Sequence, residues 1–398
     1  MPVTPAPNAG AADGHCGVDV NRQVSGLSAR VPRPVDYVVV GGGLIGLLTA
    51  RELRLAGQGV ALIERGDIGR EASWAGGGIL SPLYPWRYPD SVTALAAWSQ
   101  RDYPALCATL AAETGIDPEW TQSGLLVLDA AEIVPATAWT RRHDVTLRQC
   151  NAAALHNLEP ALETAAADVM LLPDIAQVRN PRLLKALVTS LLQLGVTVET
   201  GVDVARVTMH AGRVTGVDTS HGHRPAVNVV IAGGAWSAAL LSTSGVSLPV
   251  EPVRGQMLLL RGRPGAISHI ILAGEHYLIP RRDGRILVGS TLEYVGYDRS
   301  TTDEAREALH RFALSCVPEL ASYPIEAHWA GLRPGSPDGV PFIGAVTETA
   351  GLFVNAGHFR NGVATGPASA RLLADIALQR RSAIDPDPYA IKPRKISA

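Results

Sequence analysis

The sequence predicts a mixed α/β protein with two domains, one built on a parallel sheet flanked by helices and the other on an antiparallel sheet. Near residue 41, a glycine-rich turn joins an apolar strand to a helix and opens a complete βαβ unit. Between residues 253 and 293, strand-like runs alternate with hairpin signals such as Asp283-Gly284. The length of 398 residues also exceeds what one compact core usually holds.

The βαβ unit is the first predicted element. Residues 36–40 form a β-branched and aromatic run, and the glycine-rich turn follows at once. Residues 47–55 then show apolar positions on one helical face, with Gly57 as the stop. A second strand at 60–63 ends at Glu64.

The remaining pattern predicts further helices and strands and divides the chain into two interleaved domains. Helices are expected at 92–114, 181–194, 302–316 and 367–379, and strands at 124–128, 196–199, 202–208, 213–218, 227–232, 257–260, 276–280, 285–288 and 352–355. The nucleotide-binding domain is expected to comprise 35–84, 165–245 and 331–390. The substrate-binding domain is expected to comprise 85–164 and 246–330, and 1–34 is predicted to be a disordered tail.

Composition and charge exclude several classes of protein. The net charge of -2 comes from 35 basic and 37 acidic residues, which leaves no electrostatic footprint for nucleic acid. No apolar run approaches the ~18 residues of a membrane helix, and residues 1–34 lack the apolar centre of a secretory signal. The four scattered cysteines form no CxxC pair and are typical of reduced intracellular thiols, so we expect no metal. The missing secretory signal predicts a cytoplasmic location.

The glycine-rich turn has the spacing of a dinucleotide site. Gly41, Gly43 and Gly46 stand in the pattern GxGxxG, where the glycines allow a tight turn, close approach of a pyrophosphate and close packing of the helix. Leu44 and Ile45 stand between the second and third glycines, directly before the predicted helix, whose N-terminus attracts phosphates. Glu64 lies where an acid binds ribose hydroxyls and repels a 2′-phosphate. FAD and NAD both remain compatible with this motif.

Two further segments favour FAD. Residues 73–80 are small and glycine-rich, as expected of a loop that runs beside a long cofactor. Far along the chain, 357–362 follows a strand and opens another helix, whose N-terminus would stabilise negative charge on a reduced ring. Gly233 follows a third apolar strand. Both ends of the chain would thus hold one extended cofactor.

These segments resemble the D-amino acid oxidase-type flavoproteins, and within them the glycine oxidases of bacterial thiamine biosynthesis. The matching stretches include EASWAGGGIL, VVIAGGAWS, HYLIPRRDGRILVGST, WAGLRPGSPDGVPFIG and AGHFRNGVATGPASARLLADI, and the likeness covers about 35 to 380. For the cofactor, the resemblance implies contacts from Glu64, Arg65, Ala72, Ser73, Gly77, Gly78, Ile79, Val204 and the run His358, Phe359, Arg360, Asn361, Gly362 and Val363.

For the substrate, the resemblance implies that Arg333 clamps a carboxylate, Tyr277 adds a hydroxyl to it and Arg360 is a secondary contact. A planar guanidinium suits this task because it offers two parallel N–H donors. Taken alone, Arg333 could equally form a structural ion pair, and Tyr277 could be a core aromatic. His358 could be a general base, but a packed imidazole is the preferred interpretation.

The implied activity is oxidative deamination of glycine, sarcosine and small D-amino acids to the 2-oxo acid, ammonia and hydrogen peroxide, in the service of thiamine thiazole synthesis. Molecular oxygen and a homotetramer are further implications. The alternatives are a D-amino acid dehydrogenase that passes electrons to a quinone or partner subunit, a flavoprotein that uses FAD only structurally or as a redox sensor, and a flavoprotein that modifies tRNA.

Two positions depart from the glycine oxidase pattern. Leu292 stands where that pattern has a methionine, and Glu275 stands where it has a histidine. Both positions are expected to touch the substrate pocket. Relatives with covalent flavin attach it through a cysteine near the C-terminus, whereas the last cysteine here is Cys316, so non-covalent FAD is expected.

Overall fold

The computed structural model describes residues 35–164 and 168–392. The predicted tail at 1–34 therefore lies outside the described residues. No helix within the described ranges combines the length and apolar character that crossing a bilayer requires.

The strands are β1 (Val35–Val40), β2 (Val60–Glu64), β3 (Thr121–Gln122), β4 (Leu125–Val127), β5 (Arg148–Asn151), β6 (Asp168–Leu172), β7 (Ala176–Gln177), β8 (Thr197–Thr200), β9 (Val204–His210), β10 (Arg213–Thr219), β11 (Gly222–Ile231), β12 (Glu251–Arg261), β13 (Ile270–Ala273), β14 (His276–Pro280), β15 (Arg285–Gly289), β16 (Ile325–Gly335), β17 (Phe342–Ala345) and β18 (Leu352–Ala356). The α-helices are α1 (Leu44–Leu55), α2 (Ala72–Ala75), α3 (Asp90–Thr114), α4 (Ile133–His143), α5 (Ala152–Leu158), α6 (Asn180–Gln193), α7 (Ser237–Ser242), α8 (Asp303–Cys316) and α9 (Gly362–Ala377).

The first sheet has the order β17-β18-β11-β1-β2-β8, with β9 and β10 continuing from β11 as an antiparallel meander. Strands β18, β11, β1, β2 and β8 are parallel, and β17 pairs antiparallel with β18. Helices α1, α6 and α9 pack together, with α3 beside α6 and α9. Val38 and Ile63 instead pack with Val207 and Val217 of the meander. The parallel strands are thus covered on both faces, which explains their continuous apolar runs.

The second sheet has the order β16-β12-β15-β14-β13-β4-β6-β5 and is antiparallel except where β13 meets β4. One apolar cluster joins Leu258 and Leu278 to Leu309 of α8. A second cluster contains Met257, Tyr277 and their apolar neighbours. The alternation of side chains along each strand separates these two clusters, so Tyr277 and Leu278 belong to different faces.

The predicted fold class, a Rossmann-like domain interleaved with an antiparallel-sheet domain, is confirmed by these two sheets. The first sheet takes its strands from 35–64, 197–231 and 342–356, and the second from 125–172 and 251–335. The exact division into domains stays a prediction. In particular, β6 falls within the predicted segment 165–245 but pairs in the second sheet.

The prediction of a last helix at 367–379 was wrong at its start, because α9 begins at Gly362 and contains Pro367. Proline has no N–H, so the carbonyl of Val363, four residues earlier, loses its helical donor. The buried Tyr103 hydroxyl of α3 donates to this carbonyl at 2.6 Å. A tertiary hydrogen bond therefore compensates for the missing helical bond, and sequence periodicity alone does not reveal it.

We expect Tyr103→Phe to lower the free energy of unfolding by about 1–2 kcal/mol, because the Val363 carbonyl would lose its donor. Urea denaturation of the holoenzyme, followed by circular dichroism, measures this change. In a Pro367→Ala background, the restored N–H would supply a second donor, so the same substitution should cost less there. An equal cost in both backgrounds would contradict the account.

Candidate active site

An elongated cavity of about 440 Å³ opens at the carboxyl ends of the parallel strands. Its lining includes Val40 and Glu64 at the ends of β1 and β2, Ala232 after β11, and Ala356 at the end of β18. Ligands of open α/β sheets characteristically bind in this place. The lining continues to Met257 and Tyr277, so the cavity also reaches the antiparallel sheet.

The glycine-rich turn is packed so closely that side chains would not fit. A Cβ on Gly41, whose φ is +112°, would lie 2.4 Å from the Ala232 carbonyl oxygen. A Cβ on Gly46 would lie 1.9 Å from the carbonyl oxygen of Gly41. The N-terminus of α1 can therefore approach the cavity, where Gly43, Leu44 and Ile45 line the wall.

Glu64 is held in place by two backbone donors at the end of β2. Its carboxylate accepts from the Gly42 N–H at 2.7 Å and from the Gly66 N–H at 2.9 Å. The same side chain lines the cavity. An oriented carboxylate at this strand end is what recognition of ribose hydroxyls requires.

Beside Glu64, the cavity wall contains a cation–π pair that the sequence analysis missed. The Arg65 guanidinium lies 3.7 Å from the centre of the Trp236 ring, and both residues line the cavity together with Val204. Trp236 stacks in turn on Tyr297 at 5.5 Å between ring centres. The only sequence signal for Trp236 was its position just after the Gly233-Gly234 pair.

The small-residue loop after β2 is fastened by polar side chains from elsewhere in the chain. The Ser73 hydroxyl accepts from the Leu44 N–H at 2.9 Å. The Asn180 amide donates to the carbonyls of Ser73 and Gly76, and the buried Arg281 donates to that of Gly77 at 2.8 Å. Burial lowers the pKa of Arg281 to about 10. Asn180 and Arg281 were also missed, since their loop partners are backbone carbonyls, which leave no signal in the sequence.

The segment after β18 closes the other end of the cavity. The Phe359 backbone has a positive φ of 44°, and its N–H donates to the Pro334 carbonyl at 2.8 Å. This bond ties the segment to β16. As predicted from the sequence, the turn then opens a helix, and Gly362 and Val363 of α9 line the wall.

His358 is a buried imidazole in this segment. It is only 2% exposed, it lines the cavity, and its Nε2 has no hydrogen-bond partner among the described residues. Burial lowers the pKa of His358 to about 3. The ring is therefore neutral at physiological pH, which agrees with the packed imidazole preferred from the sequence. A ligand in the cavity could supply the missing partner.

Arg333 projects from β16 into the cavity wall. Its guanidinium donates to the carbonyls of Arg254 and Thr291 at 3.3 and 3.1 Å and to the Ser290 hydroxyl at 2.7 Å. These acceptors are uncharged, and no described carboxylate lies within ion-pair distance of Arg333. Burial lowers the pKa of this guanidinium, but arginine remains charged in proteins. The structural ion pair considered as an alternative is therefore absent among the described residues.

The position of the guanidinium depends on Gly255, which pairs across the strands with Gly331. A Cβ on Gly255 would lie 2.1 Å from Nη1 and 2.3 Å from Cζ of Arg333. The guanidinium thus rests directly on the β12 backbone. Any side chain at residue 255 would displace it.

Tyr277 belongs to β14 and lies beside Arg333 of β16. A Cβ on Gly77 would lie 3.2 Å from the tyrosine ring, and one on Gly289 would lie 2.6 Å from it, so glycines flank the ring on two sides. The hydroxyl donates to the Met257 sulfur at 3.4 Å, a weak acceptor. Tyr277 is also close enough to raise the pKa of Arg333 against the larger opposing effect of burial. The hydroxyl and the guanidinium can therefore meet one ligand.

Arg360 lines the same cavity, but it has a carboxylate partner. Its Nη1 lies 3.0 Å from Glu275, which precedes β14. Neither Glu275 nor Leu292 belongs to the described cavity lining. The expectation that both touch the pocket therefore fails for direct contact, although Glu275 reaches the pocket through Arg360.

The structure brings nearly all the predicted site residues to one cavity. The lining contains the predicted residues Gly41, Gly43, Leu44, Ile45, Glu64, Arg65, Ala72, Ser73, Gly77, Gly78, Ile79, Val204, Gly233, Tyr277, Arg333, His358, Phe359, Arg360, Gly362 and Val363. Gly46 lies behind the wall against Gly41, and Asn361 is buried at the start of α9. The individual roles of these residues stay predictions.

The cavity and its donors define a dinucleotide-binding oxidoreductase fold. The glycine cradle and oriented Glu64 suit a nucleotide, and the unpartnered His358 nitrogen and the α9 N-terminus suit a fused ring at the far end. Within the described residues, no group of three or more His, Cys, Asp or Glu side chains is placed to hold a metal ion.

Comparison with known proteins identifies the family. The model of the FAD dependent oxidoreductase family matches residues 36–376. Glycine oxidase from Pseudomonas aeruginosa is 50% identical over 89% of this chain and 97% of its own. The bifunctional protein ThiO/ThiG from Trichormus variabilis is 32% identical over 87% of this chain and 53% of that longer protein.

A solved structure agrees with these sequence matches. The crystal structure of glycine oxidase from Geobacillus kaustophilus superimposes with a TM-score of 0.85 at 30% identity, over 91% of this chain and 99% of that chain. The chain belongs to the family of FAD-dependent oxidoreductases. The predictions of the family and of FAD as cofactor are confirmed.

We expect Gly255→Ala to weaken the binding of acetate to the holoenzyme by about tenfold or more, because the new methyl group would displace the Arg333 guanidinium. Titration followed by the visible absorbance of the flavin measures the affinity. Gly59→Ala serves as the control, since Gly59 precedes β2 at the amino end of that strand and is not among the residues that line the cavity. Unchanged affinity in Gly255→Ala would exclude this placement of the clamp.

We also expect His358 to make the fold acid-sensitive. Its folded pKa of about 3 lies below the ordinary value of about 6.5, so below pH 6.5 only the unfolded chain takes up the proton. The stability from this group is present above pH 6.5 and is lost as the pH falls toward 3. The loss between pH 7 and 5 is about 2 kcal/mol.

Urea denaturation at these two pH values tests this expectation. His358→Asn should show a smaller difference between pH 7 and 5, whereas His210→Asn at the exposed end of β9 should match the parent. An equally large difference in His358→Asn would contradict the assignment.

Proposed function

We propose that this enzyme oxidises the α-carbon of glycine and similarly small amino acids, including sarcosine and small D-amino acids. The observation that carries the proposal is the Arg333 guanidinium, which faces the cavity beside Tyr277 without a carboxylate partner among the described residues. The similarity to glycine oxidases over most of both chains supports the same activity.

The substrate carboxylate would complete the hydrogen bonding of Arg333. A carboxylate can accept two parallel bonds from one guanidinium, which fixes the orientation of the molecule as well as its position. The Tyr277 hydroxyl would add a third bond. The α-carbon would then be held at a fixed distance from the clamp, as near-attack positioning requires.

FAD supplies the hydride acceptor when it is bound. The chain's own residues bind and orient the amino acid and keep its surroundings largely apolar through Leu83, Met257 and Leu332. A strong side-chain base is not needed if the amine binds in its neutral form, and His358 is held neutral by burial. Hydride loss gives an imine, and water then yields the 2-oxo acid and ammonia.

One extra methyl group should be tolerated. Rejection of a methylene or methyl by pocket shape is worth only about 1–3 kcal/mol. A site organised around a carboxylate clamp should therefore accept sarcosine and D-alanine with reduced efficiency. For glycine the products would be glyoxylate, ammonia and hydrogen peroxide, with molecular oxygen as the electron acceptor.

The proposal also covers the metabolic role of the enzyme, the attachment of its FAD, its oligomeric state and its location. Relatives named bifunctional protein ThiO/ThiG support a role in thiamine thiazole synthesis. Non-covalent FAD is supported by Cys107, Cys150 and Cys316, which are buried and outside the described cavity lining. A homotetramer and a cytoplasmic location are proposed from the family resemblance.

Anaerobic addition of glycine to the purified holoenzyme tests the function directly. We expect the flavin bands to bleach with glycine and to return in air with release of hydrogen peroxide. Bleaching only by larger D-amino acids would assign one of those as the substrate instead of glycine. Bleaching that air does not reverse would favour the dehydrogenase alternative. No bleaching by any small amino acid would exclude the proposal.

We expect Arg333→Gln to lower kcat/KM for glycine by about a hundredfold or more, since two charge-assisted bonds to the carboxylate would be lost. Arg333→Lys keeps the charge but loses the paired geometry, so it should retain intermediate activity. Steady-state peroxide assays at several glycine concentrations measure both. Equal activity in the parent and Arg333→Gln would exclude Arg333 as the clamp.

A further inference from the structure

Two guanidinium groups line one cavity, and their pairing differs. Arg333 bonds only uncharged oxygens among its described partners, whereas Arg360 forms an ion pair with Glu275. The two cations lie on adjoining segments, because Phe359, which precedes Arg360, donates its N–H to the carbonyl of Pro334, which follows Arg333, at 2.8 Å, and both arginines line the cavity. A ligand bound to Arg333 therefore lies in the field of Arg360.

Glu275 stands outside the described lining and acts on the cavity through Arg360. Its carboxylate lies 3.0 Å from Nη1 of Arg360, and the Glu275 side chain is 56% exposed while that of Arg360 is only 16% exposed. Glu275 also lies 3.8 Å from Arg87, but Arg87 has a closer partner in Glu132 at 2.7 Å. Arg360 is thus the main partner of Glu275.

This arrangement decides how many carboxylates the cavity can hold. A molecule with one carboxylate can use Arg333 and needs nothing from Arg360. A molecule with two must find a second cation, and at Arg360 it would compete with Glu275 and be repelled by it.

We propose that Glu275 is a specificity-determining residue, which restricts the site to monocarboxylates by occupying the second guanidinium of the cavity. This inference rests on the proposed function in one respect, namely that Arg333 receives the carboxylate of the amino acid. Substrates with a second carboxylate, such as iminodiacetate or D-aspartate, are the class that Glu275 excludes.

The test compares acetate with malonate as binding probes of the holoenzyme. Each is titrated at a fixed ionic strength of about 0.15 M, and the flavin absorbance reports the two dissociation constants. We expect Glu275→Gln to lower the dissociation constant of malonate relative to that of acetate by about tenfold, because Arg360 becomes available for a charge-assisted bond. Glu275→Ala, which also removes the carboxylate, should change the ratio of the two dissociation constants in the same direction.

Glu132→Gln is the matched control. It removes the same charge from a carboxylate that pairs with Arg87, so a general electrostatic effect would appear in it as well. Arg360→Gln in the Glu275→Gln background should cancel the gain. In oxidation assays, the kcat/KM of iminodiacetate relative to glycine should rise in Glu275→Gln alone.

A gain in malonate binding confined to the Glu275 variants and cancelled by Arg360→Gln supports the proposal. An unchanged ratio in both Glu275 variants, an equal gain in Glu132→Gln, or a parent that binds neither probe overturns it. Failure of glycine to bleach the parent flavin would instead count against the proposed function, since the binding ratio is measured without turnover.

Discussion

Arg333 has no anionic partner in the part of the chain that the structure describes, and this unpaired charge is the constraint around which the substrate end of the molecule is arranged. Removing a guanidinium from water without an anionic partner is costly, and the chain offsets this cost with three oriented oxygen acceptors. That solution requires the guanidinium to lie against the β12 backbone, which is possible because residue 255 is glycine. The register of β12 on β16 fixes this contact, so the long strand pair holds the Arg333 guanidinium in place as well as forming one edge of the sheet.

Two neighbouring arginines differ from Arg333 in their bonding partners. Arg254, on the strand beside it, is buried and pairs with both Glu293 and Asp298. Arg281 is buried and donates to the Gly77 carbonyl of the cofactor loop and to the Val178 carbonyl after β7. In these two cases the charged guanidinium bonds to groups of the protein itself and holds segments of the fold together. Arg333 is only half-buried and keeps capacity for an incoming anion, which makes it a local exception, and such exceptions mark functional sites.

The sequence predicted those features whose causes are local. The βαβ unit follows from apolar runs and from Gly41, Gly43 and Gly46, and β14 was predicted with its observed bounds from its alternation and the Asp283-Gly284 turn. The continuation of α9 through Pro367 was not predictable, since the donor that allows this proline inside the helix comes from Tyr103, 260 residues from Val363 in sequence. Strand β16 was likewise missed, because Gly331, Pro334 and Gly335 have low strand propensity. These residues adopt the strand conformation because they pair with β12. Trp236 and Glu275 act through contacts made by the folded chain.

One continuous segment, residues 290–299, connects the two ends of the cavity. At its start, Ser290 and Thr291 hold the Arg333 guanidinium, and at its end Arg299 pairs with Glu71 at 2.7 Å in the wall beside the cofactor loop. Between them, Tyr297 stacks on Trp236, which itself carries Arg65. The distance between Arg333 and the Arg65–Trp236 pair is therefore set by bonded chain as well as by packing. Because hydride transfer depends steeply on the placement of the reacting atoms, a short covalent connection between the two binding regions serves the chemistry better than two independently placed loops would.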